Sequence, residues 1–329
     1  MPNDPSTTVR RLMATPKGLL AIDDSSLSLT KRLGARGLST DESTQSRWRS
    51  VVHHTPELSR WLTGVFFREE YLLSVPDCVT ELTEQGLEVG ATVDRGRPVL
   101  EGSTGELVSE GIDGLSVRLG QLRQLGASFA KWRMLLRTEP KRALPTERAI
   151  LANVHLAARF AKTAQVQGLL PLIQVAIETD GDFDIDECAL AHERTLARLG
   201  EQLHRQEVDP ADLLILTNPT TDGQASHRSR EPHTVAMMTL RTLARTLPAG
   251  LGGVGLISGN NRHIDPIAVL HALRSLPQPV PWPMTFAFGR ALHDPAMDQW
   301  DGSEESATTA QRALAESLAL AVGANLANG

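Results

Sequence analysis

The sequence predicts an α/β fold, a closed (β/α)8 barrel with extra helices. Three observations point there. Eight short apolar segments, each bounded by turn or polar residues, are spaced through the chain as strands would be. Most intervals between them carry apolar residues three and four positions apart, the spacing of an amphipathic helix. No G-x-G-x-x-G follows the first segment, which disfavours an open dinucleotide-binding sheet, and 329 residues suit one barrel domain spanning residues 1–329.

The expected strands are Gly18 to Asp23, Gly64 to Phe67, Leu87 to Val93, Ala127 to Leu135, Leu169 to Ile177, Asp212 to Leu216, Gly252 to Ile257 and Met284 to Phe288. Helical periodicity covers Asp41 to Leu62, Glu147 to Gln167, Asp186 to His204, Pro232 to Leu247 and Ile264 to Leu276, with a closing helix over Glu304 to Leu320. Strand then helix, repeated, makes a parallel sheet. Gly252, Gly253 and Gly255 fall within a strand rather than a strand-to-helix loop, so they imply close packing, not a nucleotide cradle.

Composition narrows the function classes. A net charge of −6 argues against nucleic acid as the main partner. No stretch approaches the roughly 18 apolar residues of a membrane span. Cys78 and Cys188 make no disulfide framework, and Cys188 has no histidine partner evident in the sequence. The opening stretch has only Leu12-Met13-Ala14 as its apolar run, too short for a signal peptide, so the expected location is cytoplasmic. His53 and His54 are adjacent on an expected helix, where neighbours do not share a face, so no metal site is expected there. No cofactor is expected.

In such barrels the site lies at the carboxyl ends of the strands. The first strand ends in Asp23-Asp24-Ser25, followed by a helix carrying Ser28. Asp24 or Ser25 could serve as a helix cap; Asp23, still inside the apolar run, is harder to explain that way. The fourth strand places Phe129, Lys131 and Arg133 on one face. Two buried cations there demand an anion, and Asp23 is available. The seventh strand ends in Ser258-Gly259 and the eighth in Gly289-Arg290, each before a helix, which is where these barrels commonly hold phosphate.

These residues resemble the class I fructose-1,6-bisphosphate aldolases. The similarity is carried by Lys17 to Ser25, Ser28 to Leu33, Gly111 to Leu115, Gly126 to Arg133, Asp180 to Asp182, Ser258-Gly259 and Thr285 to Leu292, in the family's order from residue 17 to about residue 320. The resemblance implies a lyase that forms a Schiff base with a phosphorylated carbonyl compound and makes or breaks a carbon–carbon bond. It also makes a homo-oligomer the expected assembly.

On that resemblance Asp23, Lys131 and Arg133 match the family's strand-one aspartate and strand-four cations, and Ser258, Gly259, Gly289 and Arg290 match its phosphate site. Ser25, Ser28, Thr217 and Gln174 complete the expected substrate contacts. The family's strand-six segment, Leu-Leu-Lys-Pro-Asn, is read here across Leu214 to Pro219, with Thr217 as the simplest replacement for the Schiff-base lysine. No lysine follows Lys162. The two strand-five glutamates fall at Gln174 and Ala176, and a strand-three lysine falls at Thr92.

Three functions compete. In the first, Lys131 is the imine-forming nucleophile, with Asp23 beside it and Glu178 as a displaced acid or base. In the second, Lys131 and Arg133 only polarise a carbonyl. In the third, the protein binds a phosphorylated ligand without catalysis. A divergent lyase is the expectation, with ordinary fructose-1,6-bisphosphate cleavage weak or absent.

Overall fold

A computed structural model describes residues 4–257, 264–277 and 280–326. The chain runs α1 (Pro5–Leu12), β1 (Gly18–Ile22), α2 (Ser26–Gly34), α3 (Glu42–His53), β2 (Leu62–Arg68), α4 (Glu69–Ser74), α5 (Asp77–Glu84) and β3 (Glu88–Thr92). Next come α6 (Leu115–Gln124), β4 (Phe129–Leu136), α7 (Glu147–Val166), β5 (Leu170–Ile177), α8 (Ile185–Arg205) and β6 (Leu214–Thr217). It ends with α9 (Pro232–Thr246), β7 (Gly253–Ile257), α10 (Pro266–Ser275), β8 (Met284–Phe288), α11 (Arg290–Met297) and α12 (Glu304–Leu326). The eight strands close into one parallel barrel in sequence order. Leu19 opposite Ala287 and Leu20 opposite Phe288 complete the ring.

Side chains alternate along each strand, so every strand feeds two apolar layers. Leu19, Phe66, Phe129, Leu172, Leu214 and Leu216 fill the barrel interior. Leu20, Val65, Ala130, Ile173, Ile215 and Val254 face the helices. Leu12 and Met13, at the end of α1, join the interior cluster, and Thr63 Oγ1 donates to the Leu12 carbonyl at 2.9 Å. α1 thus stoppers the end of the barrel where the strands begin. Close approach explains the β7 glycines: a Cβ on Gly253 would lie 2.5 Å from Met13 Cε, and one on Gly255 would overlap Leu216 Cδ2.

Differences from the sequence expectation sit at element ends. β1 stops at Ile22, which leaves Asp23 just past the strand. The helix expected over Asp41 to Leu62 stops at His53. Pro56 disfavours helical geometry at Thr55, Glu57 adopts φ 55°, and a short 3-10 turn at Leu58–Arg60 leads into β2. β6 starts later than expected because Pro210–Asp212 form another 3-10 turn. No described helix is long and apolar enough to cross a membrane.

Candidate active site

The carboxyl ends of the strands enclose a cavity of about 310 Å³. Asp23, Asp24, Ser25 and Ser28 line it from the β1–α2 turn, Lys131 and Arg133 from β4, and Gln174 and Glu178 from β5 and its end. Gly289 and Arg290 close it at the start of α11. Eight strand ends converge here because the barrel is closed, so residues as far apart in the chain as Ala21 and Arg290 share one wall.

Lys131 is 2% exposed, and its Nζ donates to Asp23 Oδ2 at 3.0 Å. The ammonium position also lies 4.3 Å from the centre of the Phe66 ring. Thr92 Oγ1 donates to the same Asp23 oxygen at 2.7 Å. Arg133 is aimed by Asp94, which accepts from its Nε at 2.8 Å and its Nη2 at 2.7 Å, and it stands 3.8 Å from Asp23. The Asp94 side chain is fully buried.

These neighbours set the proton affinities. Burial pushes the Asp23 carboxyl up, but the charges of Lys131 and Arg133 and the Thr92 hydroxyl overcome it and hold Asp23 below the usual carboxylate range. For Lys131 burial dominates and Arg133 adds repulsion, so its proton affinity falls although Asp23 opposes the change. Burial also works against the charge on Arg133, but the hydrogen bonds and charge of Asp94 win and raise its pKa.

Asp24 and Ser25 have structural duties as well. Ser25 caps α2, accepting from the Ser28 amide at 3.2 Å. Asp24 accepts from Ser28 Oγ at 2.8 Å and from Arg32, whose other nitrogen reaches Asp294 at 2.9 Å. This ties the β1 turn to α11, the helix that carries Arg290.

One expected residue stands elsewhere. Thr217 is absent from the cavity wall; its hydroxyl meets His192 Nε2 at 3.1 Å in the layer between barrel and α8. The inward residue at this level of β6 is Leu216. Laying Leu-Leu-Lys-Pro-Asn over Leu214 to Asn218 places the family lysine at Leu216 and matches the asparagine, so Leu216 is the replacement. Asn218 lines the cavity and pins β6 to β5, accepting from the Ile177 amide at 2.9 Å and donating to its carbonyl at 3.1 Å. Ser258 and Gly259 lie outside the described residues.

Sequence reading missed Arg97, which reaches the cavity from the segment after β3. Burial and Arg133 lower its proton affinity, opposed by Asp94 and Asp23. Among the described residues it makes no hydrogen bond or close ion pair. No strand periodicity reaches it, so only the folded loop reveals it. Cys188 does have a histidine neighbour, His192 Nδ1 at 3.8 Å, one helical turn along. Burial pushes that thiol up to about 12, which keeps it protonated and unreactive.

A sequence model described as fructose-bisphosphate aldolase class-I matches residues 5–327. The chain belongs to the class-I fructose-bisphosphate aldolase family. It is 34% identical over 305 residues to human fructose-bisphosphate aldolase C, covering 91% of this chain and 83% of that protein. It is also 34% identical over 310 residues to the muscle-type aldolase of the lamprey Lethenteron camtschaticum, covering 93% and 85%. The solved aldolase of Plasmodium falciparum superposes with a TM-score of 0.92 at 28% identity, over 98% of this chain and 93% of that one. Within this aldolase barrel the family pattern's lysine and two glutamates align with Leu216, in the barrel interior, and with Gln174 and Ala176, in the cavity wall.

Proposed function

We propose that this family member is an aldehyde-lyase acting on a phosphorylated carbonyl compound, with Lys131 as the amine nucleophile and a substrate other than fructose-1,6-bisphosphate. The carrying observation is that Lys131 is the sole lysine in the cavity wall among the described residues, buried and bonded to Asp23. Lys17 is occupied by the Ser59 carbonyl, Lys141 by Asp182, and Lys162 by the Glu207 carbonyl.

In this reading the phosphate sits at Arg290 and Gly289, with Ser258 and Gly259 as the remaining expected contacts, and Ser25, Ser28, Gln174 and Arg133 hold the substrate's oxygens. The neutral Lys131 amine adds to the carbonyl carbon, and water leaves as the C=N bond forms. A carboxylate then takes the proton of the hydroxyl on the carbon to be released. That carbon departs as an aldehyde, and the electrons of the broken C–C bond move into the protonated imine. In this reading Asp23, bonded to Nζ, exchanges protons with it, and Glu178 supplies the second carboxylate across the cavity wall. The resulting enamine takes a proton on carbon, and hydrolysis of the imine regenerates Lys131.

A second reading, in which Lys131 stays an ammonium and only polarises the carbonyl, is favoured by its bond to an ionised Asp23. Borohydride reduction in the presence of dihydroxyacetone phosphate, followed by peptide mapping, separates the two. A reduced adduct on Lys131, lost in Lys131→Met, is the expected result. Turnover of a phosphorylated carbonyl substrate without adduct overturns the imine in favour of the electrostatic reading, and phosphate-ligand binding with neither adduct nor turnover makes the protein a binder.

A further inference from the structure

At the opposite end of the barrel from the cavity, the last residue of α3, the residue that caps it and one side chain of α5 converge. His53 Nε2 lies 2.8 Å from Glu81 Oε2, and His54 Nε2 lies 3.7 Å from the same oxygen. The three ligand atoms all fall within 4.8 Å of one another. Adjacent residues inside a helix diverge by about 100°. Here the helix ends: His54 is the cap residue, with φ −87° and ψ 12°, and the two imidazole centres come within 4.2 Å.

We propose that His53, His54 and Glu81 form a binding site for a divalent transition-metal ion of the zinc type, clamping the end of α3 to α5. In a tetrahedral site with ligand bonds of about 2.0–2.1 Å, neighbouring ligand atoms stand roughly 3.3–3.5 Å apart. The observed 2.8 and 3.7 Å bracket that spacing and no pair of ligand atoms is more than 4.8 Å apart, so an ion requires shifts of about 0.5 to 1.5 Å. The half-exposed Glu81 side chain can supply them.

Two further observations favour a metal over a plain ion pair. The His53 side chain is 2% exposed, and neither of its ring nitrogens makes a hydrogen bond; the 2.8 Å approach to Glu81 lacks hydrogen-bond geometry. A buried nitrogen left so costs free energy that a metal bond would recover. His54 Nδ1 lies 2.9 Å from the Ser50 carbonyl, which can only accept, and 3.0 Å from the Ser50 hydroxyl; a proton on Nδ1 satisfies both contacts and leaves the Nε2 lone pair facing the other two ligands. A backbone carbonyl on the far nitrogen is the usual orienting partner of a metal-bound histidine.

Two imidazole nitrogens and one carboxylate oxygen suit Zn²⁺, Co²⁺ or Ni²⁺ rather than Ca²⁺ or Mg²⁺. With His54 and Glu81 half exposed, the fourth position is open to water. α3 leads into the start of β2, so the ion would sit on the face away from the reaction, as a staple between two outer helices and not as part of the lyase site.

The test is titration of the full, untagged, chelator-treated chain with Zn²⁺, read by calorimetry and melting temperature, with Co²⁺ as the spectroscopic probe. The expected result is one Zn²⁺ per chain, a rise in melting temperature, and the intense visible absorption of four-coordinate Co²⁺. His54→Ala and Glu81→Gln, both at half-exposed positions that tolerate change, should each weaken Zn²⁺ binding at least tenfold, while His155→Ala, an exposed histidine of α7, leaves it unchanged. Absence of stoichiometric binding, binding unaltered in His54→Ala, or a six-coordinate Co²⁺ spectrum would each overturn the site and leave His53 and Glu81 as an ion pair only.

Discussion

Lys131 Nζ and Asp23 Oδ2 lie 3.0 Å apart, and Asp23 is held below the usual carboxylate range by the cations it faces. The two residues are 108 positions apart in the chain, so the pair exists only because β1 and β4 end at the same level of a closed barrel. Removing one partner strands the other charge in a buried wall. Lys131→Met should therefore cost about 3–5 kcal/mol of folding stability, and the double variant Asp23→Asn/Lys131→Met should cost much less. Urea denaturation of the four proteins of the cycle checks this; a loss in the double variant equal to the sum of the two single losses would show that the two charges do not depend on each other.

Fructose-1,6-bisphosphate cleavage should run far below the roughly 10 per second of a typical enzyme. Leu216 cannot form an imine, and Gln174 and Ala176 offer no carboxylate. Leu216→Lys should introduce a second borohydride-trappable amine at β6, whereas Thr217→Lys, directed toward α8, should not. Peptide mapping after reduction with dihydroxyacetone phosphate distinguishes the two, and cleavage by the unaltered protein within tenfold of the typical rate refutes the premise.

Arg97 and Arg290 should contribute to ligand binding by different routes. Arg290→Ala should weaken binding of dihydroxyacetone phosphate by about 1.5 to 3 kcal/mol, the scale of a charge-assisted hydrogen bond. Arg97→Met should also weaken binding of the phosphorylated ligand while leaving folding stability unchanged or slightly higher, because it removes a cation that Arg133 repels. Calorimetry paired with thermal melts tests both; a large stability loss in Arg97→Met would mean the guanidinium has a structural partner.

Stability should fall as the solution is acidified from pH 6.5 toward 4. Burial lowers both His192 and His293 to about 4, and Arg32 adds to the effect on His293. Their unfolded values are near 6.5. Below that pH the unfolded chain binds protons that the folded chain refuses, so stability present above pH 6.5 is lost on acidification. Between pH 7 and 5 each histidine should remove about 2 kcal/mol. Urea midpoints across this range should drop, and His293→Leu should flatten the profile; an unchanged slope would show that His293 takes up its proton without penalty.

The alternation of apolar and turn segments by itself determined the barrel, because a strand buried on both faces and an amphipathic helix leave different periodicities in the chain. It also determined that Asp23, Lys131, Arg133, Glu178 and Arg290 stand at strand ends, where a closed sheet must bring them together. Asp94, Arg97 and Asn218 were illegible, since loop residues carry no period and their placement depends on contacts far away in sequence. Period two could fix the face of β6 only once its register was known, and a one-residue slip exchanged Leu216 for Thr217. The ends of helices were equally undecided: the termination of α3 at His53, forced by the turn before Pro56, is what brings two neighbouring histidines within reach of Glu81. Local periodicity records what a residue faces on average, whereas a site depends on where each segment stops, and packing alone settles that.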